Sequence, residues 1–301
     1  MTSLRPAGAR FPQRLGDRIE RTGTLLCLGL DPDPESLPVG FTRDLRGVEE
    51  FGRLLLRYAA PWASAVKANL AFFEAFGAEG MAALERLRFA LPDDLPFIAD
   101  AKRGDISSTS ARHAAAIFER LGADAVTANP YLGREAIAPL LERPDGFVYV
   151  LCRTSNPGAG ELQDLDVAFA RQDGSTVGST GIAPPTEPLY MHVARRVATW
   201  ADGGDGIGLV VGATAPQELA AVRSAAPGTP FLVPGVGRQG GDIASVRAHA
   251  PAAAGSAGRL PGGAALVNVS RAIAEAALGD LADVGEALHE AAQAWAEQLR
   301  V

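Results

Sequence analysis

The chain has 301 residues, 47% of them hydrophobic and 21% charged, which fits a water-soluble globular protein of two average domains or one barrel-sized domain. A net charge of −7 and a pI near 5.2 exclude a general attraction to nucleic acid or to an acidic membrane surface, so an anionic ligand has to be held by a local cluster of donors. No stretch approaches the ~18 apolar residues that span a bilayer, and Arg5, Arg10 and Arg14 have no apolar segment behind them. Neither a membrane span nor a signal peptide is therefore expected, and the expected location is the cytoplasm.

The predicted elements alternate. Phe11 to Arg21 has the pattern of a short amphipathic helix. The first apolar run, Thr24 to Leu30, is closed by Asp31-Pro32, because proline cannot continue a strand ladder. A helix over Val48 to Ala60 leads to the second run, Trp62 to Lys67, and a helix over Phe72 to Leu87 leads to the third, Pro96 to Ile106. Ser110 to Leu121 has apolar residues at 114, 117, 118 and 121, the spacing of one helix face, and stops at Gly122. The fourth run is Asp124 to Ala128, closed by Asn129-Pro130. Helical Glu135 to Leu141 and the fifth run, Phe147 to Cys152, follow. Cys27 and Cys152, each within an apolar run, read as reduced core residues.

A polar, glycine-rich stretch from about 159 to 185 then departs from the rhythm and reads as an inserted loop or lid. Helices over Leu189 to Trp200 and Pro216 to Ala225 frame the sixth run, Ile207 to Val211. The seventh is Pro230 to Pro234, and a helix opens near Asp242. The eighth run is Ala264 to Asn268, and a last helical region continues from Arg271 to Arg300. Eight runs alternating with helical patterns imply parallel β-α units in one domain, and at this length a (β/α)8 TIM barrel, with a doubly wound open sheet as the rival. The polar residues favour the barrel. Asp31, Lys67, Asp100 with Lys102, Ser155, Gln239 and Arg271 all fall at or just beyond the ends of runs, which in a barrel form one chemically active rim.

The densest of these signals is Asp100-Ala-Lys102-Arg-Gly-Asp105-Ile106. Residues two apart on a strand share a face, so Asp100 and Lys102 project together, and burying such charges is costly unless they are paired. The plain alternative is a salt-bridged strand end. With Asp31 and Lys67 on neighbouring strands about 4.8 Å apart, and Asp105 just beyond, the pattern gives a cluster of alternating sign. Carboxylates around Lys102 favour its charged form, and a fixed ammonium can hand a proton to a carbanion while a carboxylate repels a departing anion.

Gly235-Val-Gly237-Arg-Gln239-Gly240 matches G-x-G-x-x-G, but it follows the seventh run, and no acid stands near Leu260, about 20 residues on, to hold a ribose. A dinucleotide site is therefore rejected. The same glycines suit a phosphate held by backbone N–H groups at a helix start, the position that recurs after strands seven and eight of barrels. His113, His192, His249 and His289 are scattered, no zinc-binding spacing exists, and no G-x-S-x-G occurs; neither a metal site nor a serine hydrolase is expected.

Asp100-Ala-Lys102-Arg-Gly-Asp105-Ile106 resembles the D-x-K-x-x-D-I signature of the orotidine 5′-phosphate decarboxylases. Leu28-Gly-Leu-Asp31-Pro, Val66-Lys67-Ala-Asn69, Thr154-Ser155-Asn-Pro-Gly158, Pro234-Gly-Val-Gly-Arg-Gln239-Gly-Gly and Asn268-Val-Ser-Arg271-Ala resemble that family's motifs, in its order. The insert after the fifth strand is similar to the bacterial type 2 branch. The resemblance implies cofactor-free decarboxylation of orotidine 5′-monophosphate to UMP. Lys102 would protonate C6, Asp100 would face the substrate carboxylate, and Lys67 and Asp105 would complete a charged tetrad. Asp31 and Lys67 would reach ribose hydroxyls, Ser155 would contact the pyrimidine, and Gln239 and Arg271 would hold the phosphate. It further implies a homodimer with shared active sites, Asp105 and Thr109 crossing from the partner. A Mg²⁺-dependent sugar-phosphate decarboxylase or aldolase of the same superfamily, a Schiff-base aldolase and a non-catalytic nucleotide-binding barrel are the alternatives.

Overall fold

In the computed structural model, which describes residues 10–168, 185–201, 206–278 and 283–301, eight parallel strands close into a barrel. They are β1 (Leu26–Leu30), β2 (Ala65–Asn69), β3 (Phe97–Arg103), β4 (Ala125–Ala128) and β5 (Phe147–Leu151), then β8 (Ile207–Val210), β9 (Phe231–Val233) and β10 (Leu266–Val269). Between β5 and β8, β6 (Asp166–Ala168) and β7 (Thr186–Pro188) pair antiparallel outside the barrel. The strands follow chain order around the ring, and β1 closes it against β10 through Leu26↔Val267 and Cys27↔Asn268. Apart from the C-terminal half of β3, the barrel strands are buried on both faces or nearly so, which is why the sequence shows near-continuous apolar runs rather than alternation. Among the described residues no helix is long and apolar enough to cross a membrane.

The helix Phe11–Thr22 plugs the N-terminal mouth of the barrel. Phe11 packs on Phe147 and Tyr149, with ring centroids 4.9 and 6.0 Å apart, and Arg14 pairs with Asp124 just ahead of β4. Burying a side chain of this size contributes roughly 2–3 kcal/mol, which holds the helix across this end of the barrel.

Three helical expectations are corrected. The single helix over 72–87 is two helices, Ala71–Glu74 and Gly77–Phe89. The second opens at Gly77, whose φ of 64° lies in the left-handed region that side chains disfavour. The helix after β3 starts at Ser107, three residues early, and widens over Ala115–Arg120 into a π-helix. The last helical region is interrupted: Arg271–Ala274 passes into a 3₁₀ turn, and a fresh helix, Val284–Gln298, starts where the Asp283 side chain accepts the N–H groups of Gly285 and Glu286. The 159–185 insert contributes the short helix Gly160–Gln163 and β6. Residues 169–184 of the expected lid lie outside the described residues.

Candidate active site

A cavity of about 480 Å³ opens at the C-terminal mouth of the barrel. The strand residues that line it are spaced two apart, as one face requires: Lys67 and Asn69 on β2, Asp100 and Lys102 on β3, Asn268 and then Ser270 at the end of β10. At its floor the Asp100 carboxylate is clasped by two ammonium groups. Lys67 Nζ lies 2.9 Å from Oδ2 and Lys102 Nζ lies 2.7 Å from Oδ1. The Lys67 side chain is 5% exposed and that of Asp100 13%, whereas that of Lys102 is 50% exposed. Both cations line the cavity, and Lys102 is the more accessible of the two.

Burial alone would lower the affinity of Lys67 for its proton. The Asp31 and Asp100 carboxylates outweigh it and hold the ammonium well above the ordinary lysine value. Burial likewise opposes ionisation of Asp100, but Lys67 and Lys102 together keep its carboxyl well below the usual carboxylate range. The cavity floor therefore holds an ionised Asp100 against a protonated Lys67 at any moderate pH. Asp31 is anchored beside it, its Oδ1 accepting the backbone N–H of Asn69 at 2.9 Å.

The opposite wall is polar but carries less fixed charge. Ser155 donates to Gln239 Oε1 at 3.4 Å, and both line the cavity with Thr154 and, from the insert, Gln163. Gly235, at φ 101°, makes this approach possible. A Cβ there would lie 3.0 Å from that of Ser155 and 3.3 Å from Gln239 Oε1. Arg271 follows β10 into the same wall. Among the described residues no carboxylate pairs with it, whereas Arg238 on the same rim is paired with Glu275.

Lys67, Asp100, Lys102, Asp31, Ser155, Gln239, Arg271 and Gly235 thus all face one cavity. Gly237 and Gly240, at φ 83° and 78°, shape the turn without lining it. Asp242 caps Ile243–His249, its carboxylate accepting the N–H groups of Ala244 and Ser245, so these two donors of the helix start are already engaged.

Asp105 and Thr109 also lie apart from the cavity. Among the described residues Asp105 forms no ion pair; its carboxylate accepts its neighbour's N–H, that of Ile106, at 2.7 Å. Within one chain the cluster is therefore two lysines with Asp100 and Asp31, not the tetrad with Asp105. The residue overlooked in the sequence is Thr127, on β4, which bonds directly to Asp100. A signal for it exists, since it is a polar side chain at the inward-facing position of an otherwise small, apolar strand.

Fold and site define a barrel enzyme whose charged cavity receives an anionic small molecule at the C-terminal rim. Residues 24–287 match the family model described as orotidine 5′-phosphate decarboxylase / HUMPS family. An orotidine 5′-phosphate decarboxylase of Thermomicrobium roseum is 48% identical over 233 residues, 77% of this chain and 78% of that protein. One of Roseiflexus castenholzii is 43% identical over 291 residues, 96% of each. The solved structure of Leishmania donovani OMP decarboxylase superposes with a TM-score of 0.75 at 36% identity, covering 97% of this chain and 98% of that one. The chain belongs to the orotidine 5′-phosphate decarboxylase / HUMPS family.

Proposed function

We infer that this chain is a carboxy-lyase that converts orotidine 5′-monophosphate to UMP, the step that yields UMP in pyrimidine synthesis, on its own side chains without a cofactor. The observation that carries the reading is the Lys102 ammonium held 2.7 Å from Asp100 at the open floor of the cavity.

Arg271, Gln239 and the backbone around Gly235 receive the phosphate, Ser155 faces the pyrimidine, and Asp31 and Lys67 meet the ribose hydroxyls. The substrate carboxylate is then brought against Asp100. Two anions forced together favour the state in which one of them has gone. The bond from C6 to the carboxyl carbon breaks, its electron pair stays on C6, and CO2 departs. Lys102 gives its proton to C6 and becomes a neutral amine until solvent restores it. Phosphate contacts remote from C6 supply binding energy that holds this arrangement together.

The working unit of this reading is a cytoplasmic homodimer of single-domain barrels, in which Asp105 and Thr109 serve the partner's cavity. Supporting it, both residues lie outside their own cavity, on a segment that carries the exposed Ile106, and the adjoining loop exposes Tyr131 and Leu132. Exposed apolar side chains gathered on one rim are what a second copy would cover. The test is direct: purified protein in chelator, with loss of orotidine 5′-monophosphate followed by absorbance and the product identified as UMP. Turnover without added metal supports the reading; a strict Mg²⁺ requirement refutes it.

A further inference from the structure

β3 and β4 fall out of step directly beside the reacting groups. They pair at Ala99↔Val126 and again at Arg103↔Ala128, so three residues of β3, 100 to 102, face the single residue Thr127. The ladder cannot serve that excess, and Thr127 serves it instead. Its Oγ1 accepts the backbone N–H of Ala101 and that of Lys102, each at 3.0 Å, and donates to Asp100 Oδ1 at 2.8 Å. A hydroxyl has one proton and two lone pairs, so all three are in use and its direction is fixed. Thr127 is 2% exposed, at the wall of the cavity. Lys102 stands at φ 50°, a left-handed conformation that a lysine rarely adopts and that persists only where the surroundings impose it.

We propose that Thr127 is a positioning residue for the decarboxylation: its hydroxyl holds the β3 bulge that aims the Lys102 ammonium and the Asp100 carboxylate at the cavity floor. This rests on the reading of Lys102 as proton donor. The Asp100 oxygen bonded to Thr127 is the one that contacts Lys102, so the hydroxyl orients carboxylate, backbone and ammonium at once. Among the described residues the Thr127 side chain bonds only to β3, and none of its bonds reaches the phosphate wall.

Thr127→Val keeps the shape and removes all three hydrogen bonds, whereas Thr127→Ser keeps the bonds and removes a methyl group. A packing role would make serine the worse variant; a positioning role makes it the better one. We expect Thr127→Val to lower kcat about 30-fold, the scale of losing a hydrogen bond to a charged group and displacing a reacting one. KM and the affinity for UMP stay within about threefold, and Thr127→Ser stays within about threefold of wild type in every parameter. Valine with unreduced kcat, a loss confined to KM, or serine falling as far as valine overturns the proposal. Should the valine variant not fold, Thr127→Cys, a weak hydrogen-bonding group of similar size, carries the same comparison, and serine-like turnover in it overturns the proposal. Lys102→Ala in the same assay separates the two levels. If it is inactive while Thr127→Val is fully active, positioning alone fails; if it turns over normally, the proton-donor reading fails.

Discussion

Replacing Lys67 by methionine removes one of the two cations that hold Asp100 in place while keeping a linear, buried side chain. At 2.9 Å and an effective dielectric of about 20, the attraction in this pair is about 6 kcal/mol. The desolvation of both ions offsets much of it, and breaking one side of a buried pair costs about 3–5 kcal/mol. Asp100 retains Lys102, so the lower end applies: Lys67→Met should destabilise the ligand-free protein by about 3 kcal/mol, a fall in Tm of roughly 5–10 °C. Urea unfolding at neutral pH measures it. Asp100→Leu should also be destabilising, because it leaves Lys67 buried with Asp31 as its remaining carboxylate. The double variant should lose about 2 kcal/mol less than the two singles combined, since no lone charge is then left in the pair.

The pH dependence carries the sign. Asp100 ionises more readily folded than unfolded, so its contribution is complete above the unfolded value near pH 4 and fades as pH falls below it. Lys67 holds its proton more tightly folded, so its contribution is complete below about pH 10 and fades as pH rises above it. The gap between wild type and Lys67→Met should be flat between about pH 5 and 9 and close at the acid end. A Lys67→Met protein as stable as wild type, or strictly additive singles, would refute the reasoning.

Arg271→Ala should raise KM by about 10- to 100-fold, the scale of a charge-assisted phosphate contact, with kcat reduced less; steady-state kinetics checks it, and an unchanged KM counts against the phosphate assignment. Gly235→Ala should lower kcat/KM by about tenfold or more, because a methyl group at φ 101° is strained and crowds Ser155 and Gln239; wild-type kinetics would contradict it. Ile106→Glu should weaken self-association by about tenfold or more in sedimentation and lower activity in parallel, since it places a charge in the apolar patch that the proposed homodimer would cover; a monomeric wild type of full activity would exclude the shared site.

The barrel was legible because parallel strands buried on both faces write themselves as short apolar runs, and because Asp31, Lys67, Asp100 and Arg271 interrupt the pattern where runs end. Lys102 was legible as a charge two residues from Asp100, but not its left-handed backbone, which no lysine advertises. Thr127 was passed over because a β-branched residue in a strand needs no explanation from propensity alone, and its role exists only through the bulge opposite it. Asp242 was legible as opening a helix, but not as a carboxylate that takes up two of the N–H groups at the helix start. The break at Gly77 shows the same limit, since a glycine within a helical pattern does not disclose which sign of φ the tertiary fold will impose.

In the proposed reaction one ammonium, that of Lys102, delivers a proton to a carbon that has just lost CO2. The measurement closest to it is single-turnover conversion of orotidine 5′-monophosphate by Lys102→Ala, alongside calorimetric binding of UMP to the same protein. Turnover should fall by about 10³-fold or more while UMP still binds within about tenfold of wild type. Conversion at a rate near that of wild type would contradict it.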